Sequence, residues 1–207
     1  MLKQLRPAIV SVLAFTLLTG LVFPALITVI SKLVMPVQSG GSLIERDGKV
    51  VGSRLIGQSF ALPKYFHPRP SSAGSGYDGA ASSGSNLGPT SDKLINGIAD
   101  DPKTKDTNES FAGIKQLATN YRTENGLLPT LPIPADAVTR SASGLDPQIS
   151  PENALLQAPR VAKARNVSVE TVKNLIGQNT QGRTFGVLGE AGVNVLELNL
   201  ALDATNK

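Results

Sequence analysis

PAIVSVLAFTLLTGLVFPALITVIS, Pro7 to Ser31, is a run of 25 residues without a charge, bounded by Arg6 and Lys32. Coiled into a helix at 1.5 Å per residue it extends about 37 Å, enough to cross a hydrocarbon core of roughly 30 Å with some tilt. A buried helix of this length needs a large soluble core around it, whereas a bilayer requires only that the backbone bond within the segment. Gly20 and Pro24 are compatible with spanning, because membrane helices accept both residues, and Pro24 is expected to kink the helix. A cleaved secretion signal is disfavoured. Its apolar region is shorter than this one, and KLVMPVQSGGS, which follows, offers no small-x-small cleavage site close behind the apolar core. The run therefore reads as an uncleaved anchor, residues 7–35, behind a short tail, residues 1–6.

Orientation follows from the flanking charges. Lys3, Arg6 and the α-amino group precede the helix and only Lys32 follows closely, so the tail is expected in the cytoplasm and residues 36–207 outside it. The same three cations resolve an ambiguity in composition. A formal net charge of +4 and a pI near 9.4 suggest a nucleic-acid or membrane-surface binder until they are placed. With Lys3, Arg6 and Lys32 assigned to the anchor, the remainder has 17 basic and 16 acidic residues, a net +1. That is not the domain-level excess of a DNA binder. The chain has no cysteine, which removes disulfides, thiol nucleophiles, thiolate metal sites and lipid attachment at a lipobox. It has one histidine, His67, with no partner at ligand spacing, so a turn or packing role is expected rather than a metal site.

Beyond the anchor, 172 residues suit one domain. SLIERDGKVVGSRLIGQSF (Ser42 to Phe60) alternates around Asp47-Gly48, the dipeptide of two-residue hairpins. Residues 63–90 are rich in Pro, Gly and Ser and read as a long loop, either disordered or held by neighbours. Helices are expected from Ser91 and from Asp106, the latter with Glu109 at capping-box spacing and Phe111, Ile114, Leu117 and Tyr121 on one core-facing side until Asn125-Gly126. LLPTLPIPAD reads as an edge strand or connector. Ser150-Pro151 opens a further helix, which Pro159 kinks or divides, and Ser168 caps another reaching Ile176-Gly177. In VNVLELNLALD (Val193 to Asp203) the leucines at 196, 198, 200 and 202 alternate with polar or small residues, predicting a final strand with one buried face. The fold class expected is α+β: one transmembrane helix followed by one extracytoplasmic domain, residues 36–207.

Few motifs carry chemistry. Gly74-Ser-Gly76-Tyr-Asp-Gly79 matches the dinucleotide pattern G-x-G-x-x-G in letters, but it lies in a Ser/Gly-rich loop with no strand before it or helix after it. No Walker A sequence, G-x-S-x-G elbow or metalloprotease signature occurs, and no nucleophile-base pair supports an extracytoplasmic hydrolase. Residues 160–176 resemble a helix-turn-helix, in which Arg160, Lys163, Arg165 and Lys173 would contact phosphates. The alternative is a helical hairpin that buries Val161, Val169, Val172 and Ile176 and leaves the cations in solvent. The near-neutral charge favours the hairpin, and a membrane-tethered DNA-binding regulator would need the reversed topology.

Several segments in order along the chain resemble the KdpC family, the C subunit of the bacterial Kdp high-affinity potassium-transporting ATPase. They are Leu5-Arg6-Pro7-Ala8, GSLI (Gly41 to Ile44), LIGQSF (Leu55 to Phe60), YFHPRPS (Tyr65 to Ser71) and GSNL (Gly84 to Leu87). SASGLDPQISPENALLQAPRVAKARNVSVE (Ser141 to Glu170) and VNVLELNLALD follow, while 97–130 and 177–190 match weakly. The resemblance implies a non-catalytic accessory subunit in the bacterial inner membrane, joined to a channel-like potassium-binding subunit, a P-type ATPase subunit and a small membrane peptide. No nucleic acid is implied. ATP hydrolysis would belong to the ATPase subunit, in keeping with the lack of a DKTGT phosphorylation motif here. The family has also been described as a catalytic chaperone that raises the ATPase subunit's affinity for ATP, and on that description Gln157 and Arg160, inside PENALLQAPR, are the nominated nucleotide contacts. A domain outside the cytoplasm cannot touch ATP held inside it, so the charge-derived orientation and direct nucleotide contact exclude one another.

Overall fold

The computed structural model describes residues 2–98 and 110–205, and the chain divides into two compact units, 1–53 and 54–207. In the first unit a helix, α1, runs unbroken from Leu5 to Val34 with its apolar side chains exposed, the surface that lipid requires. Its one irregularity is a π turn over Leu18–Val22, immediately before Phe23-Pro24. Proline has no N–H and its ring collides with the carbonyl four residues back, so the preceding turn widens instead of breaking. Hydroxyls fill in nearby: Thr19 Oγ1 donates to the Phe15 carbonyl and Thr28 Oγ1 to that of Pro24, each at 2.7 Å. A short turn of helix, α2 (Pro36–Ser39), leads to a hairpin of β1 (Leu43–Arg46) and β2 (Lys49–Ser53). Asp47 and Gly48 both take positive φ, 53° and 72°, as a type I′ turn demands. The hairpin predicted from Asp47-Gly48 is thus present, over a shorter span than the alternation from 42 to 60.

In the second unit the helix start predicted near Asp106 lies outside the described residues. The helix found is α4 (Ile114–Glu124), after the short Ser91-capped α3 (Asp92–Asn96). Gln116 turns back to accept the Gly113 N–H at 2.9 Å, and Asn125-Gly126 ends the helix where the sequence places its stop. Phe111 precedes it, bridged to Ile98. Leu117 and Tyr121 are only half-buried, so this face borders the core without entering it. The proline-punctuated segment is a connector that ends in a 3-10 turn at Ala135–Ala137.

The core is built by α5 (Pro151–Arg165), α6 (Val169–Gln178), α7 (Val195–Thr205) and a small antiparallel sheet. Its strands are β3 (Gln148–Ile149), β4 (Thr180–Gln181) and β5 (Gly192–Asn194), ordered β3-β5-β4. Ser150 and Ser168 cap α5 and α6, accepting the N–H groups of Asn153 and Thr171. α5 passes through Pro159 undivided. Pro159 and Leu155, whose carbonyl the proline cannot bond, are both on the exposed side, where water can take the place of the missing donor. Ala154, Ala158 and Ala162 bring α5 close to its neighbours, and Val161, Val172, Ile176, Val193, Leu198 and Leu202 fill the interior with Phe66.

The strand predicted at the end of the chain is wrong beyond Asn194. The sheet takes only Gly192–Asn194; the Asn194 side chain then accepts the Glu197 N–H at 3.1 Å and caps α7. Alternate leucines satisfy a period of two, but Val195, Leu198, Asn199 and Leu202 also fall at helical spacing, and those four are buried. Leu, Ala and Glu favour the helix once β5 is paired on both sides. The distinction is measurable at Asn199, which a strand turns to solvent and the helix turns inward. Asn199→Leu is expected to lower stability by about 2–4 kcal/mol in urea unfolding, since two buried backbone groups of Phe66 lose their partner.

Candidate functional site

Residues 153, 157 and 160 recur at i, i+4 and i+7 along α5, and their polar side chains point into the protein. Asn153 sits over the helix start. Its Nδ2 donates to Asp136 (2.9 Å), and its Oδ1 accepts from the Tyr121 hydroxyl (2.8 Å) and from Gln157 Nε2 (2.9 Å). Asp136 also accepts the backbone N–H and the hydroxyl of Ser150, tying the connector to the cap of α5. Burial, with Asp136 nearby, raises the pKa of the Tyr121 phenol.

Gln157 is 1% exposed. Its Nε2 donates to Asn153 and to the His67 carbonyl (3.0 Å), and its Oε1 accepts the His67 N–H (2.8 Å) and Arg160 Nη2 (2.7 Å). The amide's four hydrogen-bonding positions are therefore all filled by the protein. Arg160 places Nε on Asn125 Oδ1 (2.9 Å) and Nη1 on the carbonyls of Pro63 (2.6 Å) and Tyr65 (2.9 Å). Four of its five N–H groups are committed internally, and burial lowers its pKa. The structure thus brings the two nominated residues into direct contact; Arg160 lines an open cleft of about 540 Å³ with Pro63, Glu124, Asn125 and Lys163, while Gln157 lies buried.

Two further side chains, which the sequence did not single out for this role, complete the arrangement. Arg165 Nε donates to the Lys64 carbonyl (2.7 Å) while its Nη2 meets Asp203 (2.8 Å), and Asn199 pairs with both backbone groups of Phe66 at 2.8 and 3.0 Å. The five successive carbonyls from Pro63 to His67 each accept a hydrogen bond from a side chain of α5 or α7. His67 extends the network: Nδ1 faces Glu124 Oε1 at 2.9 Å and Nε2 faces the Leu62 carbonyl at 3.2 Å. The hydrogen bond from His67, assisted by its charge and that of Arg160, holds the Glu124 carboxyl below its ordinary pKa although partial burial opposes this. His67 is thus a hydrogen-bonded member of the network rather than the turn or packing residue expected.

Residues 69–84 are held in the same manner. Ser71 Oγ donates to the Gly144 carbonyl (2.6 Å) and accepts the N–H groups of Ala73 and Tyr77, while Arg69 pairs with Asp146 (2.9 Å). Gly144 has φ +66°, and a Cβ there would lie 2.5 Å from the Ser83 carbonyl oxygen, so glycine permits the approach of the two loops. Residues 74–79 form turns in this loop, with no helix following. The helix-turn-helix segment is the helical hairpin α5–Asn166–α6. Val161, Val172 and Ile176 are buried and Val169 is exposed; Arg160 and Arg165 are occupied internally, and Lys163 and Lys173 are exposed. Two of the four proposed phosphate contacts are therefore turned away from any duplex.

Known proteins resemble this chain over its whole length. The family model described as K+-transporting ATPase, c chain, matches residues 5–204. A protein of Mycobacterium tuberculosis (strain H37Rv) is 53% identical over 203 residues, covering 98% of this chain and 99% of that one. One from Caulobacter vibrioides (strain NA1000) is 52% identical over 205 residues, 99% and 94% of the two chains. One from Rhodopseudomonas palustris (strain BisB18) is 48% identical over 216 residues, 99% of each. All three bear the name potassium-transporting ATPase KdpC subunit.

Two outcomes are expected of this network. Gln157→Leu leaves both backbone groups of His67 without their partner, so it should cost about 3 kcal/mol or more in urea unfolding, at roughly 1–3 kcal/mol for each orphaned group. Because the Glu124 pKa is depressed on folding, its contribution is complete above the unfolded glutamate value of about 4.3 and is lost as pH falls through the lower folded value. Glu124→Gln should therefore flatten the acid side of the stability profile, measured as urea midpoints from pH 6 downward.

Proposed function

The chain belongs to the KdpC family, the c chain of K+-transporting ATPases, and from that premise we propose that it is a non-catalytic accessory subunit of an ATP-driven potassium uptake complex. The observation that carries this reading is the end-to-end match to relatives named as KdpC subunits, 53% identical over 98% of this chain and 99% of theirs. Its partners are a channel-like potassium-binding subunit, a P-type ATPase subunit and a small membrane peptide, with α1 anchoring it in the bacterial inner membrane. The charges of Lys3 and Arg6 ahead of α1 support a cytoplasmic N-terminus, which places residues 36–207 on the outer side. There the second unit braces the complex or shapes the ion entrance.

On this reading the family's promotion of ATP use is indirect, acting through assembly rather than contact. Gln157 and Arg160 then serve by clamping residues 63–67 to α5. This is supported by the filling of the Gln157 amide and of four Arg160 N–H groups by the protein itself. Hydrolysis belongs to the ATPase subunit, and ATP reaches this chain only through that partner.

A tag after Lys207 tests the assignment: an ATPase and a channel-like subunit should co-purify in detergent from cells grown under potassium limitation. Recovery of the chain alone under those conditions counts against it. Alkaline phosphatase fused at the same position should be active, because that enzyme matures only outside the cytoplasm. Labelling of the Gln157 to Arg160 peptide by an azido-ATP in the assembled complex would reverse both the orientation and the clamp reading.

A further inference from the structure

Residues 183–190, RTFGVLGE, form a closed loop whose apolar side chains point outward. Arg183 Nη2 meets Glu190 Oε2 at 2.7 Å across its base, and Thr184 and Leu188 exchange backbone hydrogen bonds at 2.8 and 3.0 Å. Gly186 and Val187 donate back to the Arg183 and Thr184 carbonyls. Four backbone hydrogen bonds close the loop on itself, yet Phe185 is 90%, Val187 72% and Leu188 60% exposed. Phe185 takes φ 54° and Gly186 φ 77°. That is the conformation of a type I′ turn, in which Asn or Gly is the favoured residue at the position Phe185 holds. An aromatic residue is kept there against its backbone preference, at the outermost point of the loop.

We propose that this tip is a docking knob that seats in an apolar pocket on the outer-facing surface of a membrane-embedded partner chain of the same ATPase. The proposal rests on the subunit reading above. Two observations select this occupant. First, the tip is electrically neutral: the two charges at its base are paired with each other, whereas loops that bind anionic lipid rely on free cations beside the apolar residues. An uncharged knob complements an uncharged protein pocket. Second, its apolar area is on the order of 300–400 Å², about half of the roughly 800 Å² that each side of a stable interface contributes. A second copy docking tip to tip falls short of that area. A partner already engaged by α1 does not need it, because the second contact is then intramolecular in effect.

The backbone conformation supplies a clean variant. Asn fits positive φ better than Phe, so Phe185→Asn should leave the thermal midpoint of the full-length chain unchanged or raised while removing the knob. With the partner chains co-expressed, the half-life of the detergent-solubilised complex should fall about tenfold, the loss typical of a central aromatic contact. An unchanged half-life overturns the knob while wild-type co-purification still upholds the subunit reading; failure of the wild-type chain to co-purify removes both. The occupant is read separately. The chain has no tryptophan, so Phe185→Trp introduces a single indole, which can be excited apart from the tyrosines. Reconstituted alone at low density into phosphatidylethanolamine and phosphatidylglycerol vesicles, it should emit as a water-exposed indole, and it should shift to the blue only with the partner chains present. A shift in vesicles without partners overturns the proposal in favour of lipid or a second copy, and an exposed indole in the assembled complex overturns it outright.

Discussion

Five consecutive carbonyls, Pro63 to His67, are held by side chains in place of a neighbouring strand, and the second unit is organised around that substitution. An extended segment entering a core must pair its N–H and C=O groups, each worth about 1–3 kcal/mol if left unpaired in the interior. Here the donors and acceptors come from Arg160, Arg165, Gln157 and Asn199. The segment can then carry Phe66, which is 0% exposed, into the centre of the α5, α6 and α7 packing without a sheet to join. Tyr65 lies beneath the guanidinium of Arg165, adding a cation-π contact to the same grip.

This arrangement accounts for where the polar chemistry of the chain goes. Asp136, Tyr121, Asn153, Gln157, Arg160, Asn125, His67 and Glu124 form one connected set of hydrogen bonds, and among the described residues no buried side-chain N or O lacks a partner. A network so fully satisfied stiffens the unit, because moving any member strands its neighbours in a low-dielectric interior. It also leaves the interaction surfaces to other elements: the bare apolar helix α1 and the neutral tip at Phe185.

Local signals were legible wherever their physical cause is local. The anchor follows from the length and neutrality of one run. The hairpin follows from the positive φ that Asp47-Gly48 accepts, and the helix starts from Ser91, Ser150 and Ser168 accepting an N–H three residues on. At the end of the chain alternate leucines fit two periods equally well. The pairing of β5 on both sides and the inward turn of Asn199 decide between them. The ordering of residues 63–90 had no local signal, since Gly, Ser and Pro set only what a backbone permits.

The sequence by itself determined the membrane helix, the α+β character, the caps and the family, because each rests on residues close together or on ordered identity along the chain. Tertiary structure alone decided that Gln157 and Arg160 face inward, that His67 binds Glu124, and that a glycine-rich loop carries a core phenylalanine. The partners in the clamp are 90 to 133 residues apart. A hydrogen bond across that distance depends on the packing that brings helix and loop together, and residue type fixes only what each side chain can donate or accept once it arrives.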